Sequence, residues 1–147
     1  MGAVGAGDFS MEDPVSWAAL MLRIGGGLVI LLHGVPKVVP LGKKPEVGLA
    51  SLRNAIEKLG FPCPTPCAHG VAAAECLGGA CLLLGFFTAW VACILALVMV
   101  PATYWKQKVS GFLLGADLPF SLFFLLIALI FLGDGRLSLG ALLGLGK

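Results

Sequence analysis

Four long apolar stretches, each interrupted by at most one charge in its interior, constrain this chain more than any other feature. A helix needs about 20 apolar residues to cross roughly 30 Å of hydrocarbon. The runs from about Trp17 to Val35, Ala68 to Phe87, Trp90 to Trp105 and Leu118 to Leu132 meet or approach that length. The last is short unless it begins earlier, near Leu113. Composition agrees, with 59% of the residues hydrophobic and only 12% charged, whereas a soluble domain carries about 25% charged residues. Too few polar side chains remain to wet a globule, so much of the surface must face lipid. The expected fold is an all-α, four-helix transmembrane bundle, with residues 1–147 forming one domain. A formal charge of +2 gives no basic field for nucleic acid, which is excluded as a partner.

The opening residues, MGAVGAGDFSMEDPV, are acidic where a secretory signal is basic, and Ala6 breaks the myristoylation pattern. The first apolar run is therefore expected to stay as a span. Gly85 and Thr88-Ala89 allow a tight turn between spans 2 and 3. Trp17 and Trp90 fall at one interface, and Tyr104 with Trp105 at the other. The loops between spans 1 and 2 and between spans 3 and 4 hold Lys37, Lys43, Lys44, Arg53, Lys58, Lys106 and Lys108, against Arg136 and Lys147 on the other side. The positive-inside rule then places both loops in the cytoplasm and both termini outside, in a plasma membrane of bacterial type.

Within the first loop, Leu49, Leu52, Ile56 and Leu59 make one apolar helical face. Residues from about Glu46 to Leu59 are expected to form an amphipathic interfacial helix, ended by Gly60 and the proline-rich FPCPTPC. Pro101 is expected to bend span 3. After span 4, Gly-Asp-Gly-Arg signals a turn, and LSLGALLGLG is too short to span and is expected to fold back along the interface.

Arg23 and Glu75 interrupt spans 1 and 2. A charge at bilayer depth faces the bundle interior and has a partner. At 1.5 Å per residue, each lies roughly 10 Å inside its nearer boundary, but these boundaries are opposite. Glu75 is thus level with His33 and Lys37, and a contact with either is easier than one with Arg23. Arg23, Ile30 and Lys37 share a face of span 1, and Ala68, Ala72, Glu75 and Gly79 form a small-residue stripe on span 2. Two readings stand: a polar clamp fixing helix register, or a site at which Arg23, His33, Lys37 and Glu75 hold a small ligand or relay a proton.

The segment CPTPCAH places Cys63, Cys67 and His69 together near the same face. Thiols and imidazoles suit zinc or iron, yet no second cysteine pair completes a metal signature. The plainest reading is two reduced thiols in a cytoplasmic loop; closure into a redox-active disulfide pair is the alternative. Cys76, Cys81 and Cys93 lie within spans and read as small packing residues. Nothing resembles a phosphate loop or a Ser-His-Asp set, and no cofactor motif is evident.

Four segments in order, LRIGGGLVILLHGVPK, LGFPCP, AECLGGACLLLGFFT and GDGRLSLG, resemble the DoxX family over about Leu22 to Leu139. The resemblance implies a four-span bundle and puts Arg23, His33, Gly34, Lys37, Glu75, Gly78, Gly79, Arg136 and Ser138 at family-motif positions. It also implies a redox-associated role, since DoxD-type relatives belong to thiosulfate:quinone oxidoreductases and other members associate with thiol or superoxide defence. A quinone is the ligand so implied, with any further electron carrier held by a partner protein. Cys63 and Cys67 are not family-motif residues, and Gly140 stands where an Asp often follows the GRLSL run. Two other functions fit the same features: a non-catalytic structural or assembly subunit of a larger membrane complex, and a small-solute permease acting as a homo-oligomer.

Overall fold

A computed structural model describes residues 14–39 and 48–144. Among them, four helices are long and apolar enough to cross a membrane, and no strand is present. Helix α1 runs Pro14–Val38, α2 Leu49–Lys58, α3 Pro64–Leu84 and α4 Thr88–Ser110. A π-helical turn, Phe112–Ala116, leads into α5, Asp117–Leu132, and a short α6, Leu139–Leu142, follows. The protein is an integral membrane protein, and its lipid-facing shell is apolar: Leu77, Trp90, Leu97 and Phe131 are all more than two-thirds exposed.

All four spans begin before the apolar runs. Spans 1 and 3 also run past them, whereas span 2 stops at Leu84, short of Phe87, and span 4 ends at Leu132 as expected. Proline explains two of these extensions. Pro14 opens α1, and Pro64 with Pro66 occupies the first turn of α3, where a missing N–H costs nothing because it would have no intrahelical acceptor. The FPCPTPC segment therefore starts a helix as well as ending one. Span 4 does begin early: the π-helical turn joins α5 at Asp117 to give one apolar segment from Phe112 to Leu132. Helix α4 continues through Pro101. The amphipathic helix covers Leu49–Lys58 and buries Ile56; positions 46 and 47, and the basic residues Lys43, Lys44 and Lys147, lie outside the described residues.

Helix α1 packs most extensively on α3, and α4 on α5, while the α3–α4 and α1–α5 contacts close the ring. The core is Ile30, Leu82, Ala92, Leu95, Ala96, Met99, Leu122, Leu126 and Leu129. Small residues set the α1–α3 distance. A Cβ on Gly79 would sit 2.8 Å from the Leu31 backbone nitrogen, and one on Gly34 would sit 2.9 Å from the Cys76 nitrogen. Only hydrogen fits there, so the two backbones touch. Helix α2 lies against α3 and α1, and Lys58 reaches over the Trp105 ring, 6.0 Å from its centroid.

The bundle has two unlike ends. The terminal end holds the start of α1, the α3–α4 turn and the segment after α5. The loop end holds the α1–α2 and α4–α5 connections. At the terminal end, α3 stops in a Schellman arrangement: Phe86 N–H donates to Cys81 O (2.9 Å) and Gly85 N–H to Leu82 O (3.1 Å). Gly85 takes φ +68° there, a left-handed conformation that glycine adopts without penalty.

Candidate functional site

Arg23 and Glu75 are both buried, but the structure divides them between the two ends. Arg23, 1% exposed, donates through Nη2 to the carbonyl oxygen of Leu137 at 2.5 Å. Its neighbour across the turn is Gly85, where a Cβ would collide with Nη1 at 1.5 Å. The GDGRLSLG segment folds over this guanidinium and is tied down on each side of it. Arg136 N–H donates to Ser16 Oγ (3.3 Å), and Gly140 N–H donates to Gly85 O (3.0 Å). Asp134 Oδ1 accepts from Thr88 N–H at 2.6 Å, capping α4, whose own N-cap residue Phe87 supplies no side-chain bond. A Cβ at Gly140 would meet Asp134 Oδ2 at 2.6 Å, so the glycine at this position makes room for that cap. Arg23 is accordingly the centre of a folded-back terminal cap, and it does not join His33, Lys37 and Glu75.

At the loop end those three residues meet in one cleft. Lys37 Nζ forms an ion pair with Glu75 Oε2; the lysine side chain is 17% exposed and the glutamate 7%. The pairing follows from the packing. Gly34 lies one turn before Lys37 and packs against the Cys76 backbone nitrogen and the Glu75 Cβ, which sets the Lys37 and Glu75 side chains at one depth. A glutamate buried alone would be costly, and the ammonium supplies its counter-charge. His33 lines the same cleft. Its Nδ1 lies 2.9 Å from Val29 O, and because a carbonyl only accepts, Nδ1 carries the proton. In the neutral ring Nε2 then holds the free lone pair.

The cleft has a volume of about 370 Å³, within the usual range for small-ligand sites. Ile30, Met99 and Leu122 make its apolar wall, and Leu114 and Leu118 from the π-helical turn and α5 form its flank. Both leucines are exposed, so that flank borders the lipid. Lys106 and Asp117 also line the cleft. Asp117 is a charge within an apolar segment, the criterion that singled out Arg23 and Glu75, and the same test applied to LLGADLPF would have found it.

The cysteines sit apart from the cleft. Cys63, at the N-cap of α3, is exposed and Cys67 half-buried, and both are free thiols. His69 Nδ1 is 2.9 Å from Thr65 O, so that nitrogen is spent within the helix. Among the described residues, no group of three or more His, Cys, Asp or Glu side chains is arranged to hold a metal ion. Cys76 and Cys81 are half-buried, as packing residues are, but Cys93 is exposed on α4 and faces the surface rather than the core.

The family model described as DoxX matches residues 18–108, more than half of the chain. That match spans Arg23, His33, Lys37 and Glu75 and stops before the π-helical turn. No curated protein and no solved structure matches the sequence.

Proposed function

The chain belongs to the DoxX family, and from that premise we propose that it is a membrane component of a redox system whose loop-end cleft binds a quinone-type headgroup. The observation carrying this reading is the Lys37–Glu75 ion pair set at the polar end of a cleft whose flank, Leu114 and Leu118, borders lipid. A quinone has a flat apolar ring, carbonyl acceptors and an isoprenoid tail that stays in the bilayer. The residues fit each part. Ile30, Met99 and Leu122 would cover the ring, and the tail would leave past Leu114 and Leu118.

Lys37 would hold one ring oxygen, since an ammonium has three donors and Glu75 uses one of them. Glu75 positions Lys37 and keeps its charge compensated. His33 Nε2, with Nδ1 committed to Val29 O, would accept a proton from a hydroxyl of the reduced form. When bound, the quinone supplies the coupled electron and proton chemistry; the electrons come from a partner protein. The basic loop residues, read by the positive-inside rule, support a cytoplasmic position for the cleft.

The test is equilibrium binding of a short-tailed quinone analogue to the protein in lipid nanodiscs. Saturable binding at one site is expected, weakened about tenfold or more, or ~1.4 kcal/mol, by Lys37→Met and unchanged by Trp90→Phe. Absence of saturable binding, or equal effects of the two substitutions, refutes the reading. Stable recovery within a larger complex whose activity is indifferent to Lys37→Met would favour a structural subunit instead.

A further inference from the structure

The start of α3 holds a second group of chemically competent side chains, independent of the cleft. Cys63 takes φ +58°, a left-handed backbone that side chains other than glycine disfavour. It is exposed, precedes the apolar part of α3 and lies one turn from Cys67. Residues one helical turn apart have Cα atoms about 6 Å apart by helix geometry, inside the range of roughly 4.4–6.8 Å that a disulfide spans. The left-handed backbone turns the Cys63 Cβ away from its helical position, and for a disulfide the two Cβ atoms must come to about 4 Å.

Little resists that approach. Pro64 and Pro66 have no N–H, and the first turn is held to Cys63 by the bond from Cys67 N–H to Cys63 O, at 3.3 Å. Cys63 lies outside the helix, so it can move while α3 stays. Leaving the left-handed region would relieve the Cys63 backbone. The two thiols are also unlike. Cys63 is open to water, whereas Cys67 is half-buried and its Sγ donates to Pro62 O at 3.6 Å.

We propose that Cys63 and Cys67 form a thiol–disulfide exchange site whose substrate class is a low-molecular-weight disulfide. The Cys63 thiolate attacks one sulfur of RS–SR, forms a mixed disulfide and expels RS⁻, which takes up a proton. Cys67 then gives up its proton and attacks the Cys63 sulfur. The Cys63–Cys67 bond closes and the second RSH leaves. The protein dithiol is oxidised by two electrons, and RS–SR is reduced to two thiols. Cys63 is the attacking and Cys67 the resolving residue, in keeping with their exposure.

The test uses the whole protein in lipid nanodiscs, equilibrated with glutathione and glutathione disulfide at graded ratios, acid-quenched, alkylated and mapped by mass spectrometry. The wild type should gain a Cys63–Cys67 disulfide that follows the ratio reversibly, with Cys76, Cys81 and Cys93 unmodified inside the spans. Cys67→Ser should accumulate the glutathione mixed disulfide at Cys63, and Cys63→Ser should form neither the disulfide nor an adduct at Cys67. The proposal is overturned if the wild type forms no intramolecular disulfide at any ratio. It is equally overturned if the span cysteines react as fast as Cys63, or if Cys67→Ser traps no adduct. The wild-type titration decides the matter even if a variant folds poorly.

Discussion

Replacing Gly79 with Ala tests the packing that brings Lys37 and Glu75 together. The added Cβ would lie 2.8 Å from Leu31 N, 3.0 Å from Gly27 O and 3.0 Å from Leu31 Cα. All three are backbone atoms of α1, so no rotamer change relieves the clash. Helix α1 must withdraw by about half an ångström to restore ordinary contact, and overpacking of this kind costs about 1–3 kcal/mol. Alanine returns about 0.5–1 kcal/mol through its better helix propensity. The net loss is about 0–2.5 kcal/mol, centred on ~1 kcal/mol, which raises the unfolded fraction roughly fivefold. Gly25 is the control, since a Cβ there meets nothing within 4 Å, so Gly25→Ala should be neutral or slightly stabilising. Unfolding in mixed micelles of increasing SDS content, followed by far-UV circular dichroism, measures both. If Gly79→Ala is as stable as Gly25→Ala, backbone contact between α1 and α3 does not hold the site, and the reasoning fails.

Three further substitutions probe the two ends. Arg23→Leu leaves Leu137 O without its donor and should cost about 1–3 kcal/mol. Amide exchange should quicken at Arg136 and Gly140 but not within the middle of α4, and unchanged exchange would show that Arg23 does not hold the terminal cap. Asp134→Ala strips the α4 cap, for about 1 kcal/mol; exchange at the Thr88 amide should rise, and protection equal to the wild type would contradict the assignment. Lys37→Met should destabilise by about 1–3 kcal/mol by leaving Glu75 buried without its cation. Adding Glu75→Leu to that variant should recover most of the loss, because an apolar pair needs no counter-charge, and a purely additive double variant would argue against coupling.

The four spans were legible because apolar runs of this length have few other solutions, and their charged interruptions marked the buried polar residues. Depth arithmetic and helix faces set Glu75 level with His33 and Lys37 and apart from Arg23, and of the two it is Lys37 that pairs with it. The rest was hidden for identifiable reasons. Arg23 finds its partner in the backbone carbonyl of Leu137, and a carbonyl acceptor leaves no trace in side-chain identity. Pro64 and Pro66 read as a break, although proline also fits the first turn of a helix. The π-helical turn at Phe112–Ala116 shifts the register by which Leu114 and Gly115 reach the cleft, and no periodicity announces it. Gly140 looked like a departure from the family pattern; its reason emerged only with Asp134 folded against it.

The most direct measurement of the central reading is photo-crosslinking. An azido-quinone in nanodiscs, irradiated and mapped by peptide mass spectrometry, should label the segments that line the cleft, around Ile30 to Lys37 and Met99 to Leu122. An excess of unlabelled quinone should compete the signal away, and Lys37→Met should reduce it. Labelling spread evenly over lipid-facing positions such as Trp90 and Phe131, without competition, would contradict the account.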